Sequence, residues 1–322
     1  MITYGMMMSQ ILIKRKNSMS SQYSHLNNNF QHLLNLNKED RIKSLYNPIW
    51  INYPRTTQII QLLKQMMERP KKPRMQNLLI IGDSNMGKTS IIVEFCKLHQ
   101  DYTLEDEEGM SVVVKPIILA QSPSKADEKG LYISILEKFW TPFRSTDTLA
   151  KLRSQTLYLM RECNVKMLVL DEIHHLLSGT PIQQRTVMQA LKSLGNELMI
   201  PIIGVGIKSA SLVLSSSPEL ASRFDLITLT KWELDKNFRG LLNSFEKRLP
   251  LKKASLLSSK EKATLLYMIS RGNLGNLHRL LIECTKFAIS KNIEEITVDI
   301  IKKFKWVKPT NKMSPIEIEI ET

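Results

Sequence analysis

The sequence predicts an α/β protein in which helices cover both faces of a parallel sheet, followed by a small all-α region. Three observations predict it. Short, continuously apolar runs alternate with helical stretches from Asn77 to Thr230, the pattern of strands buried on both faces. A glycine-containing turn, Gly82 to Thr89, joins the first apolar run to a helical stretch. After Trp232 only helical spacing continues.

Residues 1–47 are polar, with Asn and Ser tracts and a basic cluster (Lys14, Arg15, Lys16). The first twenty are expected to be disordered, with a helix over 38–46 and an apolar anchor at Trp50-Ile-Asn-Tyr-Pro54. Residues 55–68 place Ile59, Ile60, Leu62, Leu63, Met66 and Met67 at helical spacing. Arg69-Pro-Lys-Lys-Pro-Arg74 holds two prolines and is read as a basic linker. Strands are predicted over 77–81, 111–120, 166–170, 200–206 and 225–230, with helices over 88–98, 125–139, 147–163 and 181–197. Helices over 235–248, 258–270, 276–291 and 297–304 come next, Ser258 and Thr297 serving as N-caps. Residues 316–321 alternate Ile and Glu and read as a frayed end. The expected organisation is a basic, partly disordered N-terminal extension over 1–47, an α/β core over 48–232, a helical lid over 233–307 and a flexible tail over 308–322.

Of 322 residues, 43% are apolar and 24% charged, which excludes a disordered chain. The longest apolar stretches, 199–207 and 112–120, are about half of what a bilayer span requires. The basic cluster comes after the N-terminal apolar residues, the reverse of a secretion signal. Cys96, Cys163 and Cys284 stand apart with no C-x-x-C pair, so neither a disulfide framework nor a zinc site is expected. These features together predict a cytoplasmic protein. Net charge is +14. It is concentrated in the flanks: residues 1–76 carry 12 basic and 3 acidic side chains, 77–232 carry 16 and 17, and 233–307 carry 15 and 8. Such flanks favour polyanions, nucleic acid above all.

Gly82-Asp83-Ser84-Asn85-Met86-Gly87-Lys88-Thr89, with Ser90 after it, satisfies G-x-x-x-x-G-K-T between a strand and a helix. Gly82 and Gly87 are expected to let the backbone curl so that its N–H groups face phosphate oxygens. The helix N-terminus adds positive potential there. Lys88 is placed on the terminal phosphates and the Thr89 hydroxyl on Mg²⁺. Met167-Leu-Val-Leu-Asp171-Glu172 ends a buried strand in two carboxylates, at the end of the sheet where ligands bind. Asp171 suits Mg²⁺, and Glu172 suits polarising an attacking water. Arg223, in Ser222-Arg-Phe224 before the last strand, is the candidate arginine finger for a neighbouring subunit's ATP.

Asn37-Lys-Glu-Asp40 and Asp127-Glu-Lys-Gly130 match two guanine-nucleotide patterns. The first precedes the phosphate loop and neither ends an apolar strand, so both are read as accidents and ATP is preferred. His174 and His175 are not expected to bind metal, and the methionines read as core fillers. Lys125, Lys129, Arg144, Ser145 and Thr146 lie between the second and third predicted strands, and such side chains suit contacts to DNA phosphates.

The phosphate loop, the strand ending in Asp171-Glu172, Ser222-Arg223-Phe224 and the helical lid together resemble an AAA+ ATPase. Trp50-Ile-Asn-Tyr-Pro-Arg55, Pro73-Arg-Met-Gln-Asn-Leu-Leu-Ile-Ile-Gly-Asp83 and Ile200-Pro-Ile-Ile-Gly-Val-Gly206 are similar to the TniB/TnsC regulators of transposition. Leu229-Thr-Lys-Trp232 and Gly272-Asn-Leu-Gly-Asn-Leu-His-Arg-Leu-Leu281 extend the likeness over roughly residues 45–305. The resemblance implies an ATPase that polymerises head to tail on double-stranded DNA. It also implies recruitment of a DDE transposase and a TniQ-type target-selection protein, help in choosing the insertion site, and DNA contacts near Lys125 and Thr146. Two positions depart from it. Ile207 stands where such proteins carry a polar sensor residue, and Gly275 or Asn276 where many lids carry Arg. Slow hydrolysis, with ATP acting as an assembly switch, is therefore expected. Two other readings compete: a replication-initiator or helicase-loader ATPase, and a nucleotide-switched scaffold that never touches DNA.

Overall fold

The computed structural model describes residues 23–105, 109–176, 178–211 and 222–304. Two compact units divide the described residues: an α/β unit from Pro54 to Thr230, and a helical unit built from residues 23–53 together with residues 231–304. Among the described residues no helix is long and apolar enough to cross a membrane.

Helix α1 (Lys38–Ser44) belongs to the helical unit. The α/β unit runs α2 (Pro54–Glu68), β1 (Asn77–Gly82), α3 (Lys88–Leu98), β2 (Tyr102–Glu105), β3 (Ser111–Val114), β4 (Ile117–Gln121), α4 (Glu128–Leu136), α5 (Leu149–Glu162), β5 (Met167–Asp171), α6 (Pro181–Leu198), β6 (Ile202–Gly206) and β7 (Phe224–Leu229). The main sheet has the order β4-β5-β6-β1-β7. All its pairings are parallel. Strands β1 and β6 are buried at every residue, as their unbroken apolar runs predict. Leu79, Ile118, Leu168 and Ile202 pack with Leu131, Ile135, Leu152 and Leu191 from α4, α5 and α6 into one core.

The strand expected over 111–120 is two strands. Lys115-Pro116 interrupts it: β4 joins the main sheet, while β3 turns away and pairs antiparallel with β2. Proline offers no N–H to a ladder, and the Pro116 carbonyl instead accepts from the Lys166 and Met167 amides. Strand β2, which the sequence pattern does not predict, is exposed at every position. Tyr102 and Leu104 do alternate with Thr103 and Glu105, but four residues are too few for that alternation to announce a strand.

The helical unit contains α1, α7 (Lys236–Glu246), α8 (Lys260–Ser270), α9 (Leu274–Ser290) and α10 (Val298–Lys303). Caps explain four of the five N-terminal ends: Asn37, Asp235, Asn273 and Thr297 each accept a backbone N–H of the first helical turn. The N-cap of α8 is Ser259, not Ser258, and its side chain makes no capping bond. Residues 23–53 are part of this unit. Leu45 and Ile51 lie in one cluster with Phe238, Leu242, Leu266, Leu280 and Ile301. Arg41 Nη2 meets Glu294 Oε1 at 2.5 Å in a buried ion pair, and the Asn27 amide donates to Lys247 O. The expected disorder over 1–20 and the frayed end over 316–321 lie outside the described residues.

Candidate functional site

The strand register places Gln121, Asp171, Gly206 and Gly82 at one edge of the sheet, the C-terminal ends of β4, β5, β6 and β1. Ligands of parallel α/β sheets bind at this edge. The turn after β1 supplies the loop. Asn85 (φ 62°) and Gly87 (φ 82°) adopt left-handed backbone, and Gly87 caps α3. Gly82 has a different reason for being glycine than curling the chain. A Cβ there would lie 2.7 Å from the Leu229 carbonyl oxygen, so glycine permits the close approach of β7.

Lys88 Nζ donates to the carbonyls of Gly82 (3.0 Å) and Asp83 (2.9 Å). Burial lowers its pKa, opposed by the negative charges of Glu172, Asp171 and Asp83. Thr89 Oγ1 donates to Asp171 Oδ2 at 2.8 Å. Asp171 Oδ1 accepts the Glu172 amide at 2.9 Å. One carboxylate is thus held at both oxygens, by the helix after β1 and by the turn after β5. Glu172 itself sits in left-handed backbone (φ 53°), a conformation that costs energy for a residue with a Cβ. The Gly-Val-Gly of β6 makes room for that turn. A Cβ on Gly204 would be 2.6 Å from Ile173 Cδ1, and one on Gly206 would be 3.2 Å from Ile173 Cγ2. Fully buried Ile173 therefore packs into the groove the two glycines leave.

His174 Nδ1 lies 3.2 Å from Glu172 Oε2 without the alignment of a hydrogen bond. Burial, then the neighbouring His175, pushes the His174 pKa down, which favours the neutral imidazole. Among the described residues no three His, Cys, Asp or Glu side chains gather as a metal-binding cluster.

Arg223 is not brought to this site. It precedes β7, whose Phe224 pairs with Asn77 at the start of β1. Five residues of strand, about 17 Å, separate that edge from Gly82. Its Nη1 donates to Asn196 Oδ1 at 3.1 Å, and its buried Nε has no partner. Asp225, the neighbour that a surface arginine would pair with, accepts a hydrogen bond from Gln76. The five residues singled out for DNA fall before, within and after α4. Lys125 is exposed before it and Lys129 is in its first turn. Arg144, Ser145 and Thr146 form an exposed turn before α5, closed by the Arg144 amide on Asp147 Oδ2 at 3.2 Å. Gly275 and Asn276 are in the first turn of α9, with Asn276 buried.

Both guanine-type patterns are helix caps. Asn37 accepts the Asp40 amide, and Asp127 accepts the amides of Lys129 and Gly130. One charged neighbour of the loop belongs to no sequence motif: Lys208 Nζ, just beyond β6, lies 3.3 Å from Asp83 Oδ1. Its only signal in the sequence is topological, a basic residue next to the end of a buried strand.

Known structures share this architecture. The chain is similar to Cdc6p from Pyrobaculum aerophilum (TM-score 0.61, 16% identity, 84% of this chain and 72% of that one). It is also similar to the ORC2 protein of Aeropyrum pernix, solved as ADPNP-ADP complexes (0.58, 13%, 84% and 72%). The ORC1 protein of Aeropyrum pernix in complex with DNA matches as well (0.56, 14%, 82% and 68%). At these identities the likeness establishes the fold alone, the AAA+ fold. No curated protein matches in sequence. A sequence model of the bacterial TniB protein matches residues 41–234, from α1 through β7, and by that match the chain belongs to the TniB family.

Proposed function

We propose that this protein is an ATPase that assembles head to tail on duplex DNA and regulates transposition. The observation that carries the proposal is the Thr89–Asp171 contact at 2.8 Å beside Lys88. Two hard oxygen donors so placed suit Mg²⁺, which when bound neutralises phosphate charge. In this reading residues 82–90 cradle ATP, with Lys88 on its phosphates. Glu172 orients the attacking water. Arg223, remote from its own chain's loop, serves the site of the adjoining copy, which requires a heterologous contact. The side chain of Ile207 has no polar atom for the terminal phosphate, so hydrolysis is slow and ATP acts chiefly as an assembly switch.

Lys125, Lys129, Arg144, Ser145 and Thr146 contact the DNA backbone, and the +14 charge supports attraction to it. Membership of the TniB family supports the remaining roles: recruiting a DDE transposase and a TniQ-type protein, and helping to select the target site.

Binding to random-sequence duplex DNA, measured with ATP, ADP and no nucleotide across a salt series, tests this reading. Cooperative, ATP-dependent, salt-sensitive binding is expected, lost in Lys88→Ala and prolonged in Glu172→Gln. Absence of DNA binding in every nucleotide state would overturn it.

A further inference from the structure

Strand β6 lies beside β1, and their C-terminal ends share one edge of the sheet. The chain leaving β6 therefore emerges next to the phosphate loop. Ile207 is apolar, so Lys208 is the first polar side chain after the strand. Its Nζ is 3.3 Å from Asp83 Oδ1, and the carbonyl of the same Asp83 accepts Lys88 Nζ at 2.9 Å. Asp83 thus joins two ammonium groups, one through its side chain and one through its backbone.

An acidic side chain is an awkward occupant for a loop that receives a polyphosphate. Asp83, Asp171 and Glu172 all act electrostatically on Lys88. Lys208 offsets the one carboxylate that belongs to the loop itself. Its side chain is 58% exposed and that of Asp83 is 31% exposed, so the pair is solvated and loosely held. A lysine ammonium on a flexible stem exchanges partners readily. A terminal phosphate, with more charge than one carboxylate, competes well for it.

We propose that Lys208 is a second phosphate-binding cation of the nucleotide site, held by Asp83 when no triphosphate is present and transferred to the terminal phosphate of ATP. It then distinguishes ATP from ADP, because ADP lacks the group that draws it away. The inference rests on reading residues 82–90 as an ATP site.

The test is equilibrium binding of β,γ-imido-ATP and of ADP, each with Mg²⁺, to the full chain. Lys208→Ala should weaken the imido-ATP complex about tenfold or more, the loss of one charge-assisted contact, while changing ADP binding less than about threefold. Lys208→Arg should restore most of the difference. Asp83→Asn should tighten imido-ATP binding, since the lysine no longer has to be withdrawn. Equal effects on both nucleotides, or no effect, would overturn the proposal. So would an imido-ATP affinity left unchanged when Lys208→Ala is added to Asp83→Asn, because Lys208 would then only cancel Asp83. Lys88→Ala is the control for the underlying reading: unchanged binding of both nucleotides in that variant would show that the loop is not the ATP site.

Discussion

The Trp232 amide donates to the Gly272 carbonyl at 2.9 Å, and a Cβ on Gly272 would lie 2.1 Å from the Trp232 carbonyl oxygen. Gly272 is also in left-handed backbone, at φ 68°. Two sequence patterns forty residues apart, Leu229-Thr-Lys-Trp232 and Gly272-Asn-Leu-Gly, thus meet at a point where no side chain fits. Trp232 in turn packs edge-on against Tyr53, ring centroids 5.0 Å apart. The segment ending at Tyr53 and the segment beginning at Lys231 are joined there.

Gly272→Ala should therefore destabilise the helical unit strongly. The left-handed backbone costs an L-residue about 1–2 kcal/mol, and the overlap with backbone forces further movement. A total loss on the order of 3 kcal/mol is expected in denaturant unfolding. A loss below about 1 kcal/mol would contradict the packing described.

Gly204→Ala addresses the turn that carries Glu172. The added methyl must displace Ile173 Cδ1, 2.6 Å away, within a packed core. Overpacking of this kind costs about 1–3 kcal/mol. Because Ile173 is the residue after Glu172, the ATP hydrolysis rate should fall more than nucleotide affinity does. Equal loss of both would assign Gly204 to strand packing alone.

Arg223 can be tested by mixing. Lys88→Ala and Arg223→Ala proteins should each be nearly inactive as ATPases, a missing arginine finger costing roughly 10³-fold or more. Mixed in equal amounts, they should recover activity, up to about a quarter of the wild-type rate, through head-to-tail contacts that pair an intact loop with an intact Arg223. A mixture as inactive as its components would refute action in trans.

Acid should destabilise the helical unit through His278. Burial lowers its pKa, and its ring stacks on Phe245 at 5.9 Å. The folded chain thus resists a proton that the unfolded chain accepts near the ordinary histidine value of about 6.5. Stability is fully present above that pH and is lost as pH falls from it toward the lower, folded value. Unfolding midpoints between pH 7.5 and 5 should decline less in His278→Gln than in the wild type. Parallel curves would remove His278 from the account.

The turn from Gly82 to Thr89 was legible because its pattern and geometry are both local: four positions between two glycines, a strand before and a helix after. Asp171 and Glu172 were legible because four apolar residues announce a buried strand and two carboxylates announce its end. The break at Lys115-Pro116 was hidden because Val112–Val114 and Ile117–Ala120 read as one apolar run. Asn37-Lys-Glu-Asp40 and Asp127-Glu-Lys-Gly130 show the opposite hazard. Capping uses the same short polar side chains as nucleotide motifs, and only the helices behind them identify which role they serve.

Sequence by itself determined the alternation of strands and helices, the glycine-containing turn between β1 and α3 and the acids at the end of β5, since each arises from periodicity or from neighbours within a few residues. Only the tertiary structure decided the sheet order β4-β5-β6-β1-β7, the packing of residues 23–53 with the helical unit, the approach of Lys208 to Asp83 and the removal of Arg223 to the far edge of its sheet. The physical reason is range. A helix or a turn is stabilised by contacts a few residues apart, whereas the partner of a strand, a glycine or a surface charge is set by packing between segments that the chain brings together only on folding.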